Sequence, residues 1–244
     1  MRSLALLLSR IRVYLVTTPA IYLFTIFMGS LSLALSLFDA RGHAQHACAQ
    51  FWSRGLLFLA RVRVRVRGLE HIQPGETYLF AANHSSYMDI PVVFGYLPAS
   101  FRIMAKASLF HIPFLGWHLR RSGHMPVVHS NPRKAARALL EAAGYVAQGT
   151  PVFVFPEGGR ARDGELGEFK SGTFLLAIKS GKPVLPITLN GVRAVLPMHS
   201  WTLCPGEVEM ILHAPIPTAG MHTDACPALA EQVRSAIAST YRNP

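Results

Sequence analysis

Cysteine is scarce in this chain. The 244 residues hold 3, with no CxxC pair, which excludes a disulfide-built scaffold and a zinc ribbon. Acidic residues are few as well. Asp and Glu number 13 against 24 Lys and Arg, so the formal charge is +11. That balance points to an anionic partner: nucleic acid, a membrane surface or a phosphorylated substrate. Charged residues of both signs make up only 15% and hydrophobic residues 50%, which excludes disorder for most of the chain and suffices for one mid-sized core. Two chemical signatures are missing. No G-x-x-x-x-G-K-[ST] phosphate loop and no G-x-S-x-G nucleophile elbow occurs. There is no internal repeat, low-complexity tract or linker dividing the body.

Charge is absent altogether from Val13 to Phe38. This stretch is long enough to span a bilayer as one helix. Thr17-Thr18-Pro19 and Gly29-Ser30 interrupt it at natural bend points. Arg2, Arg10 and Arg12 precede it, and Arg41 and Arg54 follow. The positive-inside tendency places both flanks on the cytoplasmic side. The expectation is a membrane-embedded helical hairpin over residues 1–42, dipping into one leaflet. A single span is the competing reading. A core helix suits so long an apolar run less well, and Arg10 and Arg12 argue against a cleaved signal peptide.

Residues 43–244 read as an α/β domain. Helical spacing marks 44–60, 133–148, 171–180 and 225–241. Asn131 and Pro132 sit where a helix cap and first helical residue belong, and Gly181 where a helix closes. Strands are expected at 77–82, 151–155, 184–189 and 208–212. Strands alternating with helices imply a mixed, largely parallel sheet flanked by helices. In Arg61-Val62-Arg63-Val64-Arg65-Val66-Arg67 the alternation gives a strand with one basic face. That face either meets lipid phosphates or guards a sheet edge.

Reactive residues cluster after two of these strands. The first cluster is Asn83-His84-Ser85-Ser86-Tyr87-Met88-Asp89. A histidine can take a proton from a hydroxyl, and a carboxylate on its other ring nitrogen fixes the tautomer. His84 and Asp89 meet if His84 lies in a loop and Asp89 in the first turn of a helix. Ser86 and Asp89 also match a capping box, so Asp89 has a purely structural reading too. The second cluster is Phe155-Pro156-Glu157-Gly158-Gly159-Arg160. Its glycines admit close approach of backbone, and Arg160 can grip a phosphate with two bonds. A turn with a solvated arginine is the plainer alternative. Phe169-Lys170-Ser171-Gly172 opens a helix whose N-terminus favours anions.

Taken together, the clusters resemble the NHxSxxD and FPEGxR boxes of the glycerolipid acyltransferases. Lys106, Pro113 and Gly116 resemble the block between them, and Val184-Leu185-Pro186-Ile187 the block after. The resemblance spans roughly residues 60–190 and identifies the chain with the 1-acylglycerol-3-phosphate acyltransferases. It implies His84 as the base and Asp89 as its orienter. It implies a substrate site from Asn83, Ser86, Lys106, Glu157, Gly158, Arg160 and Lys170. Arg160, Lys106 and Lys170 would hold the acceptor phosphate, and Glu157 would bond the glycerol or fix Arg160. The acceptor would be lysophosphatidic acid or a related lysolipid, and the donor acyl-CoA or acyl-carrier protein. Transfer would be direct, without cofactor or metal, on the cytoplasmic face of a bacterial inner membrane among membrane lipids. Nucleic acid is not an expected partner.

Departures from the family pattern leave the acceptor open. Gly159 and Ala161 stand where Thr and Ser are common, and Val127-Val128-His129 lacks the usual arginine. Lyso-ornithine lipid and lysophosphatidylcholine are therefore alternatives, and a silent anionic-lipid-binding protein is a third class. His43, His46 and Cys48 have no partner cluster at metal-ligand spacing. His111, His118, His124 and His129 read as surface or pocket-rim residues. Phe110, Phe114 and Trp117 suit either a membrane interface or the core. Cys48, Cys204 and Cys226 read as reduced thiols.

Overall fold

A computed structural model describes residues 12–39, 42–128, 131–161, 163–200 and 202–242. Arg2, Arg10, Arg41 and His129 lie outside the described residues. Seven strands form one sheet: β1 (Val62–Arg67), β2 (Leu79–Ala82), β3 (Arg102–Lys106), β4 (Met125–Val127), β5 (Val152–Val154), β6 (Val184–Asn190) and β7 (Gly206–Leu212). Their order is β1-β7-β6-β2-β5-β3-β4. Strands β6, β2, β5, β3 and β4 run parallel, and β7 turns antiparallel to β6. β1 pairs parallel with β7 at the edge. The mixed, largely parallel sheet expected from the sequence is therefore present.

Alternation along β2 explains the layers. Phe80 and Ala82 face one core; Leu79 and Ala81 face the other, and all four are fully buried. On the first face lie helices α1 (Thr18–Leu35), α2 (His43–Leu59) and α3 (Asp89–Tyr96). Leu56, Leu57, Val92, Val93 and Phe94 pack there against Phe80, Phe153 and Ile187. α4 (Leu115–Arg121) leads from β3 towards β4. The second face is covered by α5 (Pro132–Ala147), α6 (Leu175–Ser180) and α8 (Cys226–Ala238), through Val146, Leu176, Leu229 and Val233. A short α7 (Val192–Val195) links β6 to β7. The α5 cap is as expected: Lys134 N–H donates to Asn131 Oδ1 at 3.0 Å. Gly181 closes α6 with φ 66°.

The apolar N-terminal stretch differs from the expected hairpin in its turn. A π-turn at Val13–Thr17 runs directly into α1, with Pro19 in the first turn where its missing N–H costs nothing. α1 passes through Gly29 and Ser30 unbroken, because helical bonds are made by backbone alone. The reversal comes after Ser36, and α2 is the returning arm. Trp52 Nε1 donates to Thr25 Oγ1 at 2.9 Å, and Phe24 meets Phe51 at 6.1 Å between centroids. Leu15–Leu35 is long and apolar enough to cross a membrane, and only 11% of it is buried. At its far end Ser32 Oγ lies 2.8 Å from His118 Nδ1, tying α1 to α4.

Arg61, just before β1, and the three arginines of β1 divide. Arg65 pairs with Glu207 at 3.1 Å and Arg67 with Glu209 at 3.0 Å, both across the parallel β1–β7 ladder. Arg61 and Arg63 are exposed and make no ion pair among the described residues. Three of the expected surface histidines also divide. His111 is exposed, but His124 is buried and His118 turns inward. His124 Nδ1 accepts the Ile103 N–H at 3.1 Å, so that ring completes the edge of β3. Phe110 is core, whereas Phe114 and Trp117 are 56% and 51% exposed.

Candidate active site

Parallel strands bring their C-terminal ends to one edge of the sheet, and the loops that follow β2, β5 and β3 meet there. His84 follows β2, and Asp89 is the first residue of α3. His84 Nδ1 lies 2.7 Å from Asp89 Oδ2. The same oxygen accepts the N–H groups of Ser85 at 2.7 Å and Ser86 at 2.9 Å. Three N–H donors on one oxygen leave it no proton, so Nδ1 is the donating nitrogen of His84. The lone pair then sits on Nε2, which bonds no other residue among those described. The cap position of α3 is Met88, so Asp89 completes no capping box with Ser86; its bonds to Ser85 and Ser86 fix the turn before α3, and its bond to His84 fixes the tautomer. Asp89 is fully buried, whereas the His84 side chain keeps 18% exposure. The imidazole stacks on Phe155, with centroids 4.0 Å apart and planes 17° apart.

The loop after β5 grips the backbone of His84. Glu157 Oε1 accepts the His84 N–H at 2.7 Å, and the Ala161 N–H donates to the His84 carbonyl at 2.9 Å. Glu157 Oε2 accepts the Gly167 N–H at 3.2 Å. Glu157 therefore bonds neither Arg160 nor open space; it joins two loops. Burial pushes its carboxyl up from the ordinary value, and the two N–H bonds oppose this. Gly158 has φ 73°, a left-handed backbone that favours glycine, and the end of the Lys170 side chain lies close against it.

Arg160 reaches back over the first box. Its guanidinium carbon lies 3.6 Å from the centroid of the Tyr87 ring, which is 59% exposed. Stacking uses the face of the guanidinium and leaves its edge N–H groups for an anion. Lys106 is exposed at the end of β3, on the same sheet edge, and Lys170 is exposed above Gly158.

Two expected substrate residues have other partners. Asn83 bonds the Leu189 backbone twice, through Nδ2 to the carbonyl at 2.9 Å and Oδ1 to the N–H at 2.8 Å. It extends the β2–β6 pairing past the last ladder residue. Ser86 Oγ donates to the Leu196 carbonyl at 2.9 Å and accepts the Met88 N–H at 3.2 Å. Both side chains are buried. They shape the loop that holds His84.

Sequence reasoning missed the supports. Phe155 under the His84 ring and Tyr87 under Arg160 carry no role that the sequence alone assigns. Arg193 Nη1 donates to the Ala161 carbonyl at 3.0 Å. Arg234 Nε donates to the Gly167 carbonyl at 3.1 Å, and Tyr241 Oη to that of Gly164 at 2.5 Å. Burial, then the charges of Glu157 and Asp89, raise the Tyr241 phenol. The C-terminal helix and its tail thus brace the loop that braces His84. Nothing local in the sequence pairs residues so far apart. Among the described residues no group of three His, Cys, Asp or Glu side chains is placed to hold a metal.

The profile of the Acyltransferase family matches residues 63–190, more than half the chain, and takes in every site residue from Asn83 to Lys170. The chain belongs to this family. As an acyltransferase it is 34% identical, over 84% of its length, to a chloroplast 1-acyl-sn-glycerol-3-phosphate acyltransferase of Arabidopsis thaliana. It is 31% identical, over 67% of its length, to a 1-acyl-sn-glycerol-3-phosphate acyltransferase of Pseudomonas aeruginosa. The matches span 56% of the plant protein and 64% of the bacterial one. The crystal structure of the 1-acyl-sn-glycerophosphate (LPA) acyltransferase PlsC from Thermotoga maritima shares the fold, with a TM-score of 0.79 at 29% identity over 94% of each chain.

Proposed function

We propose that this acyltransferase moves a fatty acyl group from acyl-CoA or acyl-carrier protein to the sn-2 hydroxyl of lysophosphatidic acid, giving phosphatidic acid. The 2.7 Å contact of His84 Nδ1 with Asp89, which leaves Nε2 to act as the base, carries the reading. His84 Nε2 takes the proton of the acceptor hydroxyl as its oxygen attacks the thioester carbonyl. The C–S bond then breaks, and the imidazolium returns its proton to the departing thiolate. Asp89 stabilises the imidazolium in between. Arg160 on Tyr87, with Lys106 and Lys170, binds the acceptor phosphate. A thioester is already activated, so the scheme calls for no metal.

Membrane association belongs to the same proposal. Tyr22, Leu23, Ile26 and Phe27 of α1 are each more than 60% exposed, a face that suits lipid better than water. The cytoplasmic face of a bacterial inner membrane would supply both substrates. The test is thiol release from palmitoyl-CoA by detergent-purified protein, with products identified by mass spectrometry across lysophosphatidic acid, lyso-ornithine lipid and lysophosphatidylcholine. Phosphatidic acid as the main product is expected. Activity with only another lysolipid would move the acceptor and keep the chemistry. Silence with every acceptor, from both acyl-CoA and acyl-carrier protein, would leave a lipid-binding protein.

A further inference from the structure

The start of β1 is a basic groove that the acyl-transfer chemistry does not use. Phe58, Arg61, Val62, Arg63, Pro205, Gly206 and Glu207 surround a space of about 540 Å³. Arg61 makes the turn from α2 into β1 with φ 57°, and its N–H donates to the Phe58 carbonyl at 3.0 Å. That turn sets the last exposed aromatic of α2 beside Arg61 and the first arginine of β1. The acid in the groove, Glu207, is already paired with Arg65. Arg61 and Arg63 therefore give the groove a net positive charge.

Its surroundings say what kind of anion fits. Phe58 is 79% exposed and Phe51 64%, two turns apart on one face of α2. Phe51 meets Phe24 of α1, whose own outer face is apolar. An apolar surface thus runs from α1 across α2 and ends at two unpaired arginines. This is the sequence of chemistries met at a bilayer, from acyl chain to phosphate. β1 runs opposite to β2 and β5, so its first residues lie at the sheet edge that carries His84 and Arg160.

We propose that this groove seats the phosphate headgroup of an anionic membrane phospholipid, apart from the acceptor phosphate at Arg160, and so sets the catalytic edge against the bilayer. The proposal rests on the membrane association proposed above, but not on which lysolipid is the acceptor.

The test compares partitioning of the full chain onto phosphatidylcholine vesicles and onto vesicles of phosphatidylcholine with phosphatidylglycerol. The variant is Arg61→Asn with Arg63→Gln; Asn tolerates the left-handed backbone at 61. Each basic residue near an anionic surface contributes about fivefold, so the variant should lose roughly thirtyfold of the preference for anionic vesicles. Its binding to neutral vesicles and its turnover of soluble substrates in detergent should match the parent. Arg137→Gln, on the exposed far side of α5, should change neither. Three results would overturn the proposal: a parent without preference for anionic vesicles, a double variant that keeps the preference, or a raised KM for acyl-CoA in detergent, which would give the groove to the donor. If neither protein binds any vesicle, the membrane reading fails with it. If both bind but no acceptor is turned over, only the enzymatic reading fails.

Discussion

The guanidinium of Arg160 stacks 3.6 Å from the centroid of the Tyr87 ring, so the two boxes of the site meet through the arginine that ends one and a variable position of the other. Arg160 makes no ion pair among the described residues, and the ring alone fixes the plane in which its N–H groups point. Tyr87→Ala should raise the KM for lysophosphatidic acid about two- to fivefold, as expected for a cation–π contact of about 0.5–1 kcal/mol at an exposed ring. The kcat should hardly move, since His84 is untouched. Tyr87→Phe keeps the ring face and should behave as the parent. Steady-state kinetics in detergent decides this, and an equal loss in Tyr87→Phe would assign the effect to the hydroxyl.

His84 and Asp89 make a different kind of pair, in which one side chain does chemistry and the other orients it. His84→Ala should lower kcat about a hundredfold to ten-thousandfold. Asp89→Asn should come close to that, because an amide placed at Oδ2 cannot accept three N–H donors equally. Melting temperature separates the two variants. His84 is partly exposed and its loss should be nearly neutral, whereas Asn at the fully buried position 89 should destabilise by about 1–3 kcal/mol. Turnover by His84→Ala equal to the parent would remove the base assignment.

Glu157 shows how far a motif can be read. Its carboxylate was expected to face substrate, yet both oxygens take backbone N–H groups, from His84 and Gly167. Glu157→Gln keeps one acceptor and turns an NH₂ towards the other N–H. It should cost kcat tenfold or more by loosening His84, with a smaller change in KM. Asp at 157 is too short to span both loops and should fare no better. A pure KM effect in Glu157→Gln would restore the substrate-binding role.

The parts legible in the sequence were those with a local signature. Alternation exposed β1, continuous apolar runs exposed β2, β5 and β6, and Asn131-Pro132 marked the start of α5. β3 and β4 escape the sequence reading, because Arg102–Lys106 and Met125–Val127 are short and carry no clean alternation. Those strands exist because β5 offers β3 a partner edge and β3 offers one to β4, a tertiary cause. The His84–Asp89 contact could be reasoned from loop and helix geometry. The side chains of Asn83, Ser86 and Glu157 could not, since a polar group spent on the backbone of another segment looks identical in sequence to one that meets substrate. Gly29-Ser30 failed as a bend for the opposite reason: nothing packs closely there to exploit the freedom glycine offers.

The buried histidines make the fold sensitive to acid. His46 packs against both Phe94 and Phe101, and burial, then the charge of Arg102, holds it down at about 4. Burial lowers His118 and His124 as well, and at His124 the like charges of His118, Arg102 and His46 add to it. An unfolded chain protonates these rings near pH 6.5. Between pH 6.5 and about 4 the unfolded state therefore holds more protons than the native one, and stability rises with pH. The contribution of His46 is complete above pH 6.5 and is lost as pH falls, by about 3 kcal/mol at its full extent. Melting temperature in detergent should drop by several degrees from pH 7.5 to 5.0. His46→Phe sets an aromatic ring with no proton to take against Phe94 and Phe101, and should flatten that slope without altering acyl transfer at pH 7.5. A slope unchanged in the variant would place the acid sensitivity on His118 and His124, at the joint where α1 meets α4.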